Sequence, residues 1–201
     1  MPPEKAAVGR PREFDEEKAL ENAMNVFWEK GYERSSVSDL LTAMGINRGS
    51  MYAVFGDKEA LFDAAIERYR KNLLEPFLSV LDKPGTAINN IADLFDMIAM
   101  AQSEASIGCM MCNNLIERAN CCEKSLKAAQ KFLQTVEEQF QATLQRAKTQ
   151  GELNKDADIQ AIASFLVNNL QGMSVMSKAK LPRQAFDNVS KMIRSFLMSA
   201  A

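Results

Sequence analysis

The sequence predicts an all-α protein of about nine helices, in which a small N-terminal three-helix domain precedes a larger helical domain. Apolar residues recur at helical spacing along most of the 201-residue chain, and glycine, proline or asparagine separates the periodic segments. We find no segment in which apolar and polar residues alternate as they do in a strand. Residues 1–12 are interpreted as a flexible arm, residues 13–58 as the N-terminal domain and residues 59–201 as the C-terminal domain.

The first two helices are defined by local signals. The first is expected over residues 15–31, where apolar side chains lie on one face and a glycine ends the pattern. The second is expected over residues 37–44. It follows Ser36, which stands three residues before Asp39 and so resembles a capping box with Asp in place of the usual Glu or Gln.

A third and a fourth helix are expected directly afterwards. Asn47 is a plausible N-cap for a short third helix over residues 48–54. Asp57 can cap a fourth helix that begins at Lys58. Pro76 predicts a kink or an end of that helix, because proline lacks a backbone N–H and clashes with the preceding turn.

The remainder of the chain predicts five longer helices, over residues 86–104, 108–120, 123–150, 157–178 and 183–199. No apolar run approaches the roughly 18–20 residues that span a bilayer. The first residues lack the layout of a secretory signal. We therefore expect a cytoplasmic protein without a membrane partner.

Composition limits the chemistry. The absence of histidine excludes His-based triads and His-ligated metals, and no residue set indicates catalysis. We expect no enzyme activity, no metal and no cofactor. The net charge of −2 does not indicate nucleic-acid binding, and the first 72 residues hold 11 Lys and Arg against 13 Asp and Glu. Any affinity for DNA must depend on where a few cations lie.

The second and third helices, joined by residues 44–47 with a glycine in the turn, form a helix-turn-helix. The third helix begins with Arg48, Gly49 and Ser50, which make a small, polar and cationic end. A recognition helix presents its N-terminal residues to the major groove, so this sequence suits contact with bases and phosphates.

Three blocks of sequence, residues 31–40, 44–52 and 55–62, resemble in the same order the N-terminal domain of TetR-family regulators. The resemblance covers roughly residues 10–70. It implies a DNA-binding transcriptional regulator whose partner is a double-stranded DNA operator.

The resemblance also implies which side chains contact DNA. Ser36, Tyr52 and Lys58 would bind phosphates, and the helix dipole would assist Lys58. Arg48 and Ser50 would contact base edges or the adjoining backbone, and Gly49 between them would allow close approach.

The N-terminal arm suggests a further contact. Arg10 and Arg12 flank a proline in an extended segment that could enter a narrow A·T-rich minor groove, where the negative potential is enhanced. A disordered tail with two stray charges is the alternative.

The resemblance further implies a ligand pocket among the middle helices and a homodimer formed by the last two helices. Apolar stripes on these two helices fit such an interface, although they could also pack within one chain. The predicted interface residues are Phe165, Leu166, Leu170, Met173, Val189, Ile193, Phe196 and Leu197. Abundant methionines in the C-terminal domain could line the pocket or fill the core.

All four cysteines lie between Cys109 and Cys122. Cys109 and Cys112 stand one turn apart, and a thiol near a helix N-terminus has a lowered pKa. Cys121 and Cys122 follow about one helix length later, some 13 Å from Cys112 at roughly 1.5 Å per residue. Three interpretations stay open: passive core residues, thiol-based sensing of oxidants or electrophiles, and metal binding.

The sequence therefore predicts a repressor that a small-molecule or thiol-reactive inducer releases from its operator. One alternative is a metal-responsive regulator that uses the cysteines. Another is a helix-turn-helix module that binds proteins and not DNA.

Overall fold

The computed structural model describes residues 14–199, and its regular structure over that range is helical, as predicted. The helices are α1 (Glu16–Lys30), α2 (Val37–Met44), α3 (Arg48–Phe55), α4 (Lys58–Tyr69), α5 (Glu75–Leu78), α6 (Ala87–Ala105), α7 (Met110–Arg118), α8 (Glu123–Gln150), α9 (Ile159–Lys178) and α10 (Arg183–Ser199). If α4 and α5 are counted as one interrupted helix, the number is the nine that the sequence predicts.

The short front helices begin where their capping residues predict. Asp15, Asn47 and Asp57 each accept a hydrogen bond from the amide three residues further on. Ser36 and Asp39 form a reciprocal capping box at the start of α2. Because each such cap contributes on the order of 1 kcal/mol, local chemistry alone fixes the starts of these helices.

The predicted interruption at Pro76 is also present. A π-helical turn (Arg70–Leu74) separates α4 from α5, and a 3-10 turn (Ser79–Asp82) follows α5. The helical path continues through the proline with a local change of pitch. This change places Leu73 and Leu74 on the wall of an internal cavity.

Two hydrophobic cores organise the described part of the chain. The front core surrounds Phe27, Leu40 and Met51 and includes buried residues of α4, so it extends past the predicted domain boundary at residue 58. Met110 and Met111 of α7 also belong to this front core. The second core lies among α6, α8, α9 and α10. α7 therefore joins the C-terminal helices to the N-terminal domain.

None of the helices in residues 14–199 combines the length and the apolar character needed to cross a membrane.

Candidate DNA-binding surface, internal cavity and cysteine pair

α2 and α3 form the predicted helix-turn-helix. Gly45 ends α2 in the left-handed conformation, with φ 67°, and its amide donates to the carbonyl oxygens of Leu41 and Thr42. This conformation favours glycine and allows the sharp turn into α3. Met51 anchors α3 in the front core, while Arg48 and Gly49 are exposed at its first turn.

Two cation–π contacts place the predicted DNA-binding side chains. The Arg48 guanidinium lies 5.9 Å from the ring centre of Tyr52, which is 46% exposed. The Lys58 ammonium lies 4.3 Å from the ring centre of Tyr32. Arg48, Tyr52 and Lys58 are thus all at least partly exposed. Both cations among them, Arg48 and Lys58, lie near an aromatic ring that orients them.

The Ser36 hydroxyl has local partners. It donates to the Asp39 carboxylate at 2.8 Å and accepts from the Asp39 amide at 3.0 Å. Hydrogen bonding from Ser36 and from Lys30, whose ammonium is 3.0 Å away, lowers the pKa of Asp39 to about 2. A phosphate bound by this hydroxyl would compete with an anionic carboxylate. Ser50 is half-buried at the start of α3, and Arg10 and Arg12 lie outside the described residues.

An apolar cavity of about 250 Å³ lies between the front core and the C-terminal helices. Its wall combines aromatic and aliphatic side chains with two amides and one thiol, and it includes Trp28, Tyr69, Phe77, Ile98, Gln102, Cys109, Phe132, Leu170 and Gln171. Among residues 14–199, no charged side chain lines it. None of the methionines that the sequence suggested for a pocket lines it either; Met110, Met111 and Met173 are buried elsewhere.

The N-terminal domain contributes directly to this cavity. The Trp28 indole N–H of α1 donates to the Gly108 carbonyl oxygen at 2.7 Å, immediately before α7. The Trp28 and Tyr69 rings pack edge to face with centroids 4.9 Å apart. A molecule in the cavity would therefore touch residues that pack on the helix-turn-helix.

Cys109 and Cys112 lie together at the start of α7. Cys109 is the N-cap residue and lines the cavity, whereas Cys112, one turn later, is only 7% exposed. Hydrogen bonding by the Cys112 thiol, and next by the Tyr69 hydroxyl and first-turn amides, lowers the pKa of Cys109 to about 6. The same contact and burial raise the pKa of Cys112, whose single S–H proton has the Gln171 side-chain amide oxygen as a second acceptor.

Cys121 and Cys122 form no site with this pair. They lie at the opposite end of α7, where Cys122 is the N-cap of α8. Hydrogen bonding from Ser125 lowers the pKa of Cys122, while Cys121 is exposed. Among residues 14–199 no three side chains of metal-binding type converge on one point. The structure therefore divides the four cysteines into two separate pairs.

The residues predicted for the dimer interface divide into a buried and an exposed set. Leu166, Met173, Ile193 and Leu197 are buried in the second core of the single chain, so they offer little surface to a partner subunit. Leu170 and Val189 are half-buried and pack against the same core. Phe165 and Phe196 are exposed, with ring centroids 5.1 Å apart. Only part of each apolar stripe is thus available on the surface.

One set of contacts was missed by sequence reasoning. The Glu117 carboxylate accepts the amides of Tyr32 and Glu33, both at 2.9 Å, in the turn between α1 and α2. The neighbouring Arg118 is buried against the Tyr32 ring at 3.9 Å and pairs with Glu59 at 3.2 Å. No local pattern distinguishes these two charges from ordinary surface residues, since their partners lie more than 50 positions away.

Comparison with known proteins agrees with this arrangement. Residues 19–65 match the family described as "Bacterial regulatory proteins, tetR family", and residues 88–193 match "Tetracyclin repressor-like, C-terminal domain". The chain is 33% identical over 174 residues to the HTH-type transcriptional regulator YezE of Bacillus subtilis, with 85% of this chain and 90% of that protein covered. It is 32% identical over 180 residues to the HTH-type transcriptional repressor ComR of Escherichia coli, with 87% and 84% covered.

A solved structure adds a complex with DNA. A cysteine mutant of the TetR family transcriptional regulator CifR, bound to a 26-base-pair operator, matches with a TM-score of 0.85 and 30% identity. The match covers 93% of this chain and 98% of that one. Both the helix-turn-helix and the arrangement of the C-terminal helices are included.

Proposed function

Because this chain belongs to the TetR family of bacterial transcriptional regulators, we propose that it is a homodimeric repressor that leaves its operator when an uncharged, apolar ligand enters the cavity. DNA-binding regulation follows from the family itself, whose members are transcriptional regulators. The proposal adds the chemistry of the inducer, the dimer and the DNA contacts. It places the protein in the cytoplasm, where bacterial operators lie.

The observation that carries the proposal is the position of the cavity. Trp28 and Tyr69 belong to the front core or pack against it, yet they form part of the cavity wall. A ligand that moves either ring also moves α1 or α4, and these helices support α2 and α3. The two recognition helices then no longer match the spacing of the operator half-sites.

The lining residues define the ligand class. The lining contains no charge, so binding an ion there would cost desolvation without a compensating partner. Gln102 and Gln171 can orient one polar group, and the Gln102 amide oxygen is buried without a hydrogen-bond donor. A small apolar molecule with one donor group fits this wall.

The DNA contacts proposed for Arg48, Tyr52 and Lys58 are supported by their exposure near the start of α3 and α4. Ser36 is the weakest of the set, because its hydroxyl proton already bonds to Asp39. Gly49 would allow the backbone of α3 to approach the groove, and Ser50 would contact a base edge or the adjoining DNA backbone.

The proposal is tested by capture of fragmented genomic DNA from the source organism with the reduced protein. We expect enrichment of one palindromic site. No enrichment would favour the alternative of a helix-turn-helix that binds proteins. Bound metal in the purified protein would favour the metal-responsive alternative, although the two cysteine pairs are held apart by α7.

Removing the phosphate contacts should weaken binding to every DNA sequence. For Lys58→Ala we expect an operator affinity lower by about 10-fold or more, and a salt dependence shallower by about two ions per dimer, because one contact is lost in each half-site. Tyr52→Phe, which removes only the hydroxyl, should have a smaller effect in the same direction. Fluorescence anisotropy with operator and with random DNA, at several salt concentrations, measures the affinity and its salt dependence for each variant. Lys127→Ala, on the exposed face of α8, is the control, and an unchanged salt slope in Lys58→Ala would remove Lys58 from the DNA site.

Filling the cavity should separate ligand response from DNA binding. The uncharged fluorescent probe N-phenyl-1-naphthylamine should bind the wild-type protein and lower its operator affinity. Ala101→Phe places a ring in the cavity, so we expect neither binding of the probe nor a change of operator affinity when the probe is added. Ala128→Phe, on the exposed face of α8, should respond like the wild type. If Ala101→Phe still responds, the ligand binds elsewhere.

A further inference from the structure

We propose that Cys109 and Cys112 form an oxidisable dithiol, in which an uncharged organic hydroperoxide that enters the cavity closes an intramolecular disulfide across the first turn of α7. The dithiol chemistry is independent of the proposed apolar inducer. Only its effect on DNA binding rests on the proposed function.

The first support is the placement of the two side chains. Cys109 is the N-cap residue and Cys112 is the third residue of α7. Side chains at these two helix positions face each other, which is why they meet reciprocally in a capping box. The separation between Cα atoms one turn apart lies within the range that a disulfide spans. Cys121 and Cys122 lie a further helix length away and cannot substitute for Cys112 without rearrangement.

The second support is the division of roles between the two thiols. Cys109 lines the cavity, so a molecule inside would lie against it, whereas Cys112 is buried and is not a lining residue. The pKa of Cys109 is lowered to about 6 and that of Cys112 is raised. The opposite directions of these two shifts favour the Cys109 sulfur as the nucleophile and favour a protonated Cys112.

The ionisation alone gives Cys109 only a modest advantage. A lowered pKa increases the ionised fraction of the thiol, but the lower basicity of the thiolate also reduces its nucleophilicity. Ionisation by itself therefore does not select one cysteine from four. The adjacent second thiol and the uncharged cavity supply the selectivity.

The reaction balances with the hydroperoxide as the oxidant. The Cys109 thiolate attacks the terminal oxygen, an S–O bond forms, the O–O bond breaks, and the alkoxide leaves as an alcohol after taking a proton. Cys112 then attacks the Cys109 sulfur. The S–S bond forms, the S–O bond breaks, and hydroxide leaves as water with the Cys112 proton. Two thiols lose two electrons, and the hydroperoxide gains them.

Closure of this disulfide would alter the segment just before α7, which forms hydrogen bonds with helices of both domains. The Cys109 amide donates to the Ser174 hydroxyl oxygen of α9 at 2.7 Å, and the Gly108 carbonyl oxygen accepts from Trp28 of α1 at 2.7 Å. Gly108 has φ 71°, and a Cβ there would lie 2.8 Å from the Ser174 carbonyl oxygen. The segment fits closely between α1 and α9, so a change at Cys109 alters contacts with both.

The chemistry is tested by treating the protein with cumene hydroperoxide and mapping its cysteines by mass spectrometry. We expect loss of two hydrogens, a disulfide between Cys109 and Cys112, and reversal by dithiothreitol. Cys112→Ser should stop at a sulfenic acid on Cys109 that dimedone traps, and Cys109→Ser should give neither product. The control with Cys121→Ser and Cys122→Ser together should form the disulfide at the wild-type rate.

Two results would overturn the proposal. One is a disulfide that includes Cys121 or Cys122; the other is equal oxidation of Cys109→Ser and wild type. Operator affinity is measured on the same samples, and we expect at least a 10-fold loss after oxidation that Cys112→Ser, bound normally when reduced, does not show. A disulfide with unchanged affinity would contradict the regulatory part. The apolar inducer is tested separately with reduced protein and no oxidant, so the two failures are distinguishable.

Discussion

Replacing Phe165 and Phe196 together with aspartate should convert the dimer to monomers and weaken operator binding by about 1000-fold or more. The two rings lie in contact on α9 and α10, 43% and 38% exposed in the single chain. Met192, one helical turn before Phe196, extends the exposed apolar surface along α10. Contiguous apolar surface of this kind marks an interface, and charges buried there without partners are strongly unfavourable.

The size of the effect follows from the two half-sites. A dimer with nanomolar affinity binds with about −12 kcal/mol, and a monomer that keeps one half-site keeps roughly half of that. Analytical ultracentrifugation measures the oligomeric state, and anisotropy measures operator binding. Met97→Asp together with Met100→Asp is the matched control, because it places the same two charges on exposed apolar residues of α6. Dimeric behaviour of the double variant would contradict an interface centred on these two rings.

The front of the molecule could be predicted from sequence because its signals are local. Ser36, Asn47 and Asp57 cap helices through bonds that span three residues, and Gly45 sets one turn by its own conformation. Such interactions depend on little beyond the neighbouring residues. The order of the helices and the helix-turn-helix therefore followed from the printed sequence.

The dimer interface stays a prediction, because periodicity identifies an apolar helix face but not what covers it. Leu166 and Met173 lie on the stripe of α9 that faces the second core of the same chain, while Phe165, one position away, faces outward. Sequence periodicity cannot divide a wide stripe between an internal core and a partner. The cavity was hidden for a related reason, since its wall is assembled from residues between Trp28 and Gln171. The pairing of Cys109 with Cys112 was visible, but its access to that cavity was not.

Gly31→Ala is expected to lower the free energy of unfolding by about 3–5 kcal/mol, a large part of the stability of an ordinary domain. Gly31 ends α1 with φ 83° and ψ 171°, a conformation that is essentially restricted to glycine. A Cβ at this position would lie 2.5 Å from one Glu117 carboxylate oxygen. The substitution therefore strains the backbone and also displaces the carboxylate that accepts the Tyr32 and Glu33 amides.

A double-mutant cycle with Glu117→Ala separates these two causes. In the absence of the Glu117 carboxylate no clash remains, so Gly31→Ala should then cost only the backbone strain, about 1–2 kcal/mol. Urea unfolding at one fixed protein concentration measures all four proteins, because the stability of a dimer depends on concentration. Additive effects would mean that the carboxylate moves aside freely and does not hold the turn.

A positive coupling would mean that α7 is fixed to the N-terminal domain at its end while Cys109 lies in the cavity at its start, about 12 Å away along the same helix. Because a short helix moves as a rigid unit, a displacement at the cavity then reaches the turn before α2.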